Sequence, residues 1–221
     1  MGWLFIVWVV VVVIAIAIFR LYLEDQQLKR LRQIARRHGL HFHIEDPFDI
    51  PSRYPFELFK QGHSQKASNC LSGKYRDLHV VLFDYSYRTG SGSDETTHTL
   101  SALMAKLDIY SPHLIIRPET MLHRFAAFFG FEDIKFESDE FNRAFNVRAD
   151  DKKFAYDICH AEMMEFLLQH PSMCWELGGA YLLLYEPGTQ TSDPHELRKY
   201  LNLASDFAAR IPEYLRKEFR P

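Results

Sequence analysis

Residues 78–107 read LHVVLFDYSYRTGSGSDETTHTLSALMAKL, and this stretch decides the fold class. Its first part, Leu78–Tyr87, is dense in β-branched and aromatic residues, as a strand requires. Thr89–Glu95 (TGSGSDE) is a glycine-serine loop, and a further strand is predicted near Thr97–Leu107. A loop this short returns the chain antiparallel to itself. Upstream, Asn69–Tyr75 is predicted as the neighbouring strand, so the centre of the chain is an antiparallel sheet.

Downstream, Leu114–Ile116 reads as a separate short strand. Pro118 is expected to open a helix with Met121, Leu122, Phe125, Ala126 and Phe129 on one side and Gly130 at its end. Ile134–Phe136 reads as a strand. Phe145, Val147 and Ala149, then Phe154, Tyr156 and Ile158, alternate with polar residues as the two arms of a hairpin. A short helix carrying Met163, Met164, Leu167 and Leu168 ends at Pro171. Trp175–Leu177 and Ala180–Tyr185 flank Gly178-Gly179, a two-residue hairpin signal. The last helix is marked by Asp193 as cap, Pro194 at the first position and Glu196 in the capping box, ahead of an apolar stripe from Leu197 to Ile211. Strands joined by hairpins and interrupted by helices predict an α+β domain on a largely antiparallel sheet with a C-terminal helix. By element order alone, seven or eight strands and a terminal helix also suit a pleckstrin-homology-like roll.

The N-terminus carries a different signal. Trp3–Phe19 (WLFIVWVVVVVIAIAIF) holds no charge. At 1.5 Å per residue it reaches about 25 Å, and Leu21–Leu23 extend it toward the ~30 Å of a bilayer core. Ala15 and Ala17 form a peptidase-like pair, but no basic residue precedes the apolar run, which fits an anchor better than a cleaved signal. Residues 1–23 are therefore expected to be one transmembrane helix, 24–39 a basic juxtamembrane helix stopped at Gly39, and 40–221 a globular domain. Between Arg20 and Arg37, six basic residues face two acidic ones, so the rest of the chain carries −7 of the total −3. Basic flanks stay in the cytoplasm. The expected placement is the inner (cytoplasmic) membrane, single-pass, N-terminus outside and domain inside. The basic helix also suits an anionic leaflet. Three widely spaced cysteines, Cys70, Cys159 and Cys174, suit free thiols in a reducing compartment, and an acidic domain offers nucleic acid no basic face.

The domain carries a recurring pattern: Gly62-His63, Asn69-x-Leu71-x-Gly73, Leu82-Phe83-Asp84-Tyr85-x-Tyr87 and Thr89-Gly90-Ser91-Gly92. It continues with Ile116-Arg117-Pro118-Glu119, Phe136-Glu137-Ser138, Glu140-Phe141-Asn142-Arg143 and Phe154-Ala155-Tyr156, and closes with Trp175-Glu176-Leu177, Leu183-Leu184-Tyr185 and Pro187-Gly188. In these motifs the chain resembles a family of uncharacterised bacterial proteins, membrane-anchored or soluble. The resemblance spans Leu31 to Ile211 and implies a shared fold; that family has no assigned activity to carry over.

Candidate chemistry is sparse. In His41-Phe42-His43-Ile44-Glu45 an extended backbone would set His41, His43 and Glu45 on one face as metal ligands, with Phe42 and Ile44 toward the core. A solvated polar face explains the same alternation. Asp84, inside an apolar strand, needs a partner, for which Arg117 or Arg143 is expected. Ser64 lacks a nucleophile elbow. Gly90 and Gly92 lead to a strand rather than a helix N-terminus, so they read as a turn. His160, Glu162 and Glu165 read as a solvated helix face before a metal or proton-transfer cluster. The balance favours an interaction or scaffolding domain without cofactor, its partners the lipid bilayer and another protein. The sheet edge or the aromatic segment Phe48–Phe59 is its expected surface. The alternative is a metal-assisted hydrolase built on His41, His43 and Glu45.

Overall fold

The computed structural model describes residues 2–121, 133–190 and 193–220. Its first element is a single helix, α1 (Gly2–His38), with no break between the apolar run and the basic stretch. Trp3, Phe5, Trp8, Ile14, Phe19 and Leu23 are among its exposed apolar side chains, and the helix is long and apolar enough to cross a membrane. Its last turns behave differently. Leu31, Ile34 and Ala35 recur on one face and are 2–3% exposed, inside the main core of the domain. Full burial of a Leu or Ile side chain stabilises by about 1.5–3 kcal/mol, so the helix end is part of the domain's packing. Gly39 stops it at φ 66°. There Leu40 N–H donates to Ala35 C=O at 2.8 Å and Gly39 N–H to Arg36 C=O at 3.4 Å, the two bonds of a Schellman cap.

The chain then forms β1 (His41–Glu45) and an irregular lead-in holding the short helix α2 (Ile50–Arg53) and a 3₁₀ turn, Glu57–Lys60. β2 (His63–Tyr75), β3 (Leu78–Thr89) and β4 (Thr96–Pro118) follow as an antiparallel meander, with the expected glycine-serine loop between β3 and β4. β5 (Phe145–Ala149) pairs with the end of β4, and β6 (Cys174–Tyr185) runs along β4's other edge. The described sheet has six strands, all antiparallel. The α+β class with a C-terminal helix stands as read from the sequence.

Several elements differ from expectation. Thr97–Leu107 and Leu114–Ile116 are one 23-residue strand, β4. Pro112 lies where the β4–β6 register shifts, and a bulge is where a strand tolerates a residue without N–H. Gly178-Gly179 makes no hairpin; it forms the β6 side of the same irregularity, with Gly179 at φ 57° opposite Ser111. Phe154–Ile158 is no strand but helix α4 (Lys152–Ile158), capped by Asp151, whose carboxylate accepts from Lys153 and Phe154 N–H. Ile134–Phe136 forms no ladder; Ile134 N–H makes a lone bond to Val147 C=O at 2.9 Å. Pro118 is the last residue of β4, 119–121 beyond it form a 3₁₀ turn, and 122–130 of the expected helix lie outside the described residues.

The remaining helices are α3 (Asp139–Ala144), α5 (Ala161–Leu168), α6 (Pro194–Ala209) and α7 (Glu213–Glu218). Alternation along β3 shows the two faces of the sheet. Val80 and Leu82 join the core beneath α4, α5, α6 and the end of α1, while Phe83 and Tyr85 join a second core beneath the lead-in. The lead-in thus covers the second face, with Ile50, Phe56, Leu58 and Phe59 at 0–5% exposure. The segment Phe48–Phe59 is therefore core at Ile50 and Phe56–Phe59, while its stretch from Pro51 to Pro55 stays at the surface. Only its Phe48 and Tyr54 rings stay half-exposed among these aromatics.

Candidate functional site

Alternation places His43 opposite Cys70 and its ring edge-on to Phe48 at 6.2 Å, while His41 and Glu45 are exposed. Phe42 packs against the main core, while Ile44, two residues on, is 50% exposed. Residues two apart on a strand stand parallel, about 6.6 Å from one another, and do not converge. Among the described residues no group of three His, Cys, Asp or Glu side chains is placed to hold a metal ion. The His160 group is likewise structural: His160 Nε2 meets Arg210 C=O at 3.0 Å and Glu162 pairs with Arg210 at 3.6 Å.

The expected partner of Asp84 differs. Its carboxylate, 5% exposed, accepts from Asn69 Nδ2 and Ser101 Oγ, both at 2.9 Å. Burial pushes its pKa up, against these hydrogen bonds and one from Gln190. Arg117 instead meets Glu176. On β4, Leu114 and Ile116 face the main core, so Arg117 faces the second; on β6, Trp175 and Leu177 do the same for Glu176. Arg117 Nη2 donates to Glu176 Oε1 at 2.6 Å and Tyr185 Oη to the same oxygen at 3.0 Å. The other carboxylate oxygen accepts from the Glu57 N–H at 2.8 Å. With Glu176 at 0% and Arg117 at 8% exposure, this is a buried ion pair. Burial pulls the guanidinium pKa down, and the adjacent Tyr185 and Glu176 more than restore it. Burial also raises the Tyr185 phenol and pushes the Cys174 thiol up to about 12. Chemically the group is a clamp: it fixes Glu57, and with it the lead-in, onto the sheet. The residues had been visible in the motifs Ile116-Arg117 and Trp175-Glu176; a charge in the otherwise apolar run Cys174–Leu177 was the signal that they pair.

Where the lead-in stops, the second face opens. Tyr54 and Tyr181 meet edge-on with ring centres 4.8 Å apart. On one side of this pair lies a hollow of about 540 Å³ bordered by Arg53, Phe56, Tyr110, His113 and Gly179. On the other lies a trough of about 290 Å³ over Val81 and Met104, between Phe48 and the side chains of His79 and Lys106. Apolar floors with a few polar groups at the rim are the usual form of a binding surface.

No protein-family model matches the chain, and no curated protein matches it. Among solved structures it is similar to the crystal structure of the mycobacterial trehalose monomycolate transport factor A, TtfA, with a TM-score of 0.57. The match covers 84% of this chain and 96% of that one at 13% identity. At that identity the likeness is one of fold.

Proposed function

We propose that the chain is a single-pass inner-membrane protein, N-terminus outside, whose cytoplasmic domain is a non-enzymatic interaction or scaffolding module of a transport assembly. The observation that carries this is α1, which runs unbroken from an exposed apolar span into the core of the domain. Such a helix is a strut rather than a leash: it fixes the domain's height and facing relative to the bilayer, which an assembly partner needs and a diffusing substrate does not. Orientation is argued from the basic residues that follow the apolar run. The buried clamp is consistent with a structural role, since Arg117 Nη2, Tyr185 Oη and the Glu57 N–H all bond to the Glu176 carboxylate. The transport assembly is suggested by the fold neighbour, itself a transport factor.

Two measurements test it. All three native cysteines are buried, where thiols are generally inert, so Lys217→Cys at an exposed position of α7 is a suitable probe. A membrane-impermeant maleimide should label it only after the cells are opened; labelling of intact cells would reverse the orientation. In mild detergent the full chain should co-migrate with an integral-membrane transport protein, and migration at its own mass alone would remove the scaffolding role.

A further inference from the structure

The register of the sheet carries a feature that the clamp and the anchor leave unused. Lys74 pairs with His79, His79 with Lys106, and Lys106 with Tyr181, so four strands place these side chains in one row on the second face. Lys74, His79 and Lys106 are all exposed. Cross-strand neighbours stand about 4.5–5.5 Å apart at Cβ, and like charges there are destabilising. Two acids lie beside this row: Asp77, 4.0 Å from Lys74 in the β2–β3 turn, and Asp108, two residues along β4 from Lys106 and ion-paired with Arg216. From Lys74 to Tyr181 the row spans about 14 Å; His79, Lys106 and Tyr181 form one wall of the trough, with Lys74 next to His79 beyond its rim, and Phe48 and Tyr54 form the other. Beyond the Tyr54–Tyr181 pair, Arg53 stands over Tyr54 with its guanidinium 5.9 Å from the ring centre. His113 there has a buried Nε2 without a hydrogen-bond partner among the described residues. An acidic domain has thus gathered basic side chains around an apolar floor.

We infer that this trough is a docking site for an acidic amphipathic segment of a partner polypeptide, its apolar side chains over Val81 and Met104 and its carboxylates against the Lys74–His79–Lys106 row. A span of about 14 Å matches four residues of extended chain or nine of helix. A lipid surface fits less well. His38 meets Tyr75 at 6.2 Å and Arg32 stands over Phe42, opposite Leu71, so α1 leads away from the β2–β3 turn toward its apolar end. The basic row sits at the turn end, turned from the bilayer. The inference rests on the proposed interaction role and names the chemistry of the partner.

The test uses the full chain in phosphatidylcholine nanodiscs and a fluorescent twelve-residue peptide with glutamates on one face and leucines on the other. The peptide should bind above empty nanodiscs, weaken as salt rises, and bind at least about tenfold more weakly to Lys106→Glu/Arg53→Glu. A counterpart with lysine for glutamate should prefer that double variant. Lys106→Gln, a milder surface change, should give an intermediate loss, which separates charge from misfolding. Equal binding of both peptides, or none, would overturn the inference. So would displacement by phosphatidylglycerol vesicles, which assigns the row to lipid, or competition from dimerisation of the chain, which assigns it to a second copy. Peptide binding is read on the purified chain, so its failure is distinct from failure of the transport-assembly reading, which co-migration reports.

Discussion

Arg117 and Glu176 come from strands 59 positions apart and meet in a region with almost no water. Removing one member leaves the other charge buried and the Glu57 attachment disturbed, so Arg117→Met or Glu176→Gln should each cost about 3–5 kcal/mol. The double variant should cost clearly less than the sum of the two, read from urea unfolding. Asp84 behaves in the opposite sense. Its native pKa is raised by burial, so between the ordinary carboxylate value and the raised one the native state holds a proton that the unfolded state has released. Stability therefore falls as pH rises through that window and is highest below it. Asp84→Asn should flatten this slope in unfolding measured from pH 3 upward. At neutral pH it should stay within about 1 kcal/mol of the parent, because Asn69 can turn its amide to supply the missing acceptor. Sequence reading found that Asp84 needs partners but chose the wrong ones. A charge inside an apolar strand announces burial; which of several distant polar groups it meets depends on register and bulges, such as the shift between Ser68 and Leu71, that local pattern does not contain.

At the scale of elements, what was legible had its own punctuation. Gly39 ended α1, Asp193-Pro194 began α6, and the glycine-serine loop turned β3 into β4. What failed had punctuation with two meanings. The interval between Leu107 and Leu114 and the pair Gly178-Gly179 read as breaks, yet paired strands absorb both in facing irregularities. The spacing of Phe154 and Ile158 suits a helix as well as a strand, and the Asp151 cap decided for the helix. Glycines at positive φ give a graded test of these elements. Gly39→Ala meets no atom within 4 Å and should cost about 1 kcal/mol, the strain of a left-handed alanine. At Gly62, a new Cβ would lie 1.9 Å from the Arg88 carbonyl oxygen, so Gly62→Ala should cost about 3 kcal/mol through backbone displacement. Thermal unfolding of the two variants compares them directly.

For the molecule as a whole, the boundary between anchor and domain lies inside α1 rather than at its end. A chain beginning at Asp25 keeps Leu31, Ile34 and Ala35 and should unfold cooperatively in urea. One beginning at His41 loses their burial, and with it about 3–6 kcal/mol from the two larger side chains. It should be marginal or aggregate through the face they covered. The same continuity makes the helix a keyed shaft. Each residue added between Asp25 and Arg30 would turn the domain by about 100° around the membrane normal and lift it by 1.5 Å. One or two added alanines swing the basic row to another bearing at almost unchanged height; four bring it back to within about 40° while raising it about 6 Å. If azimuth governs assembly, co-migration should fail for two added residues and recover for four. A smooth decline with length would mean that only the gap to the bilayer counts.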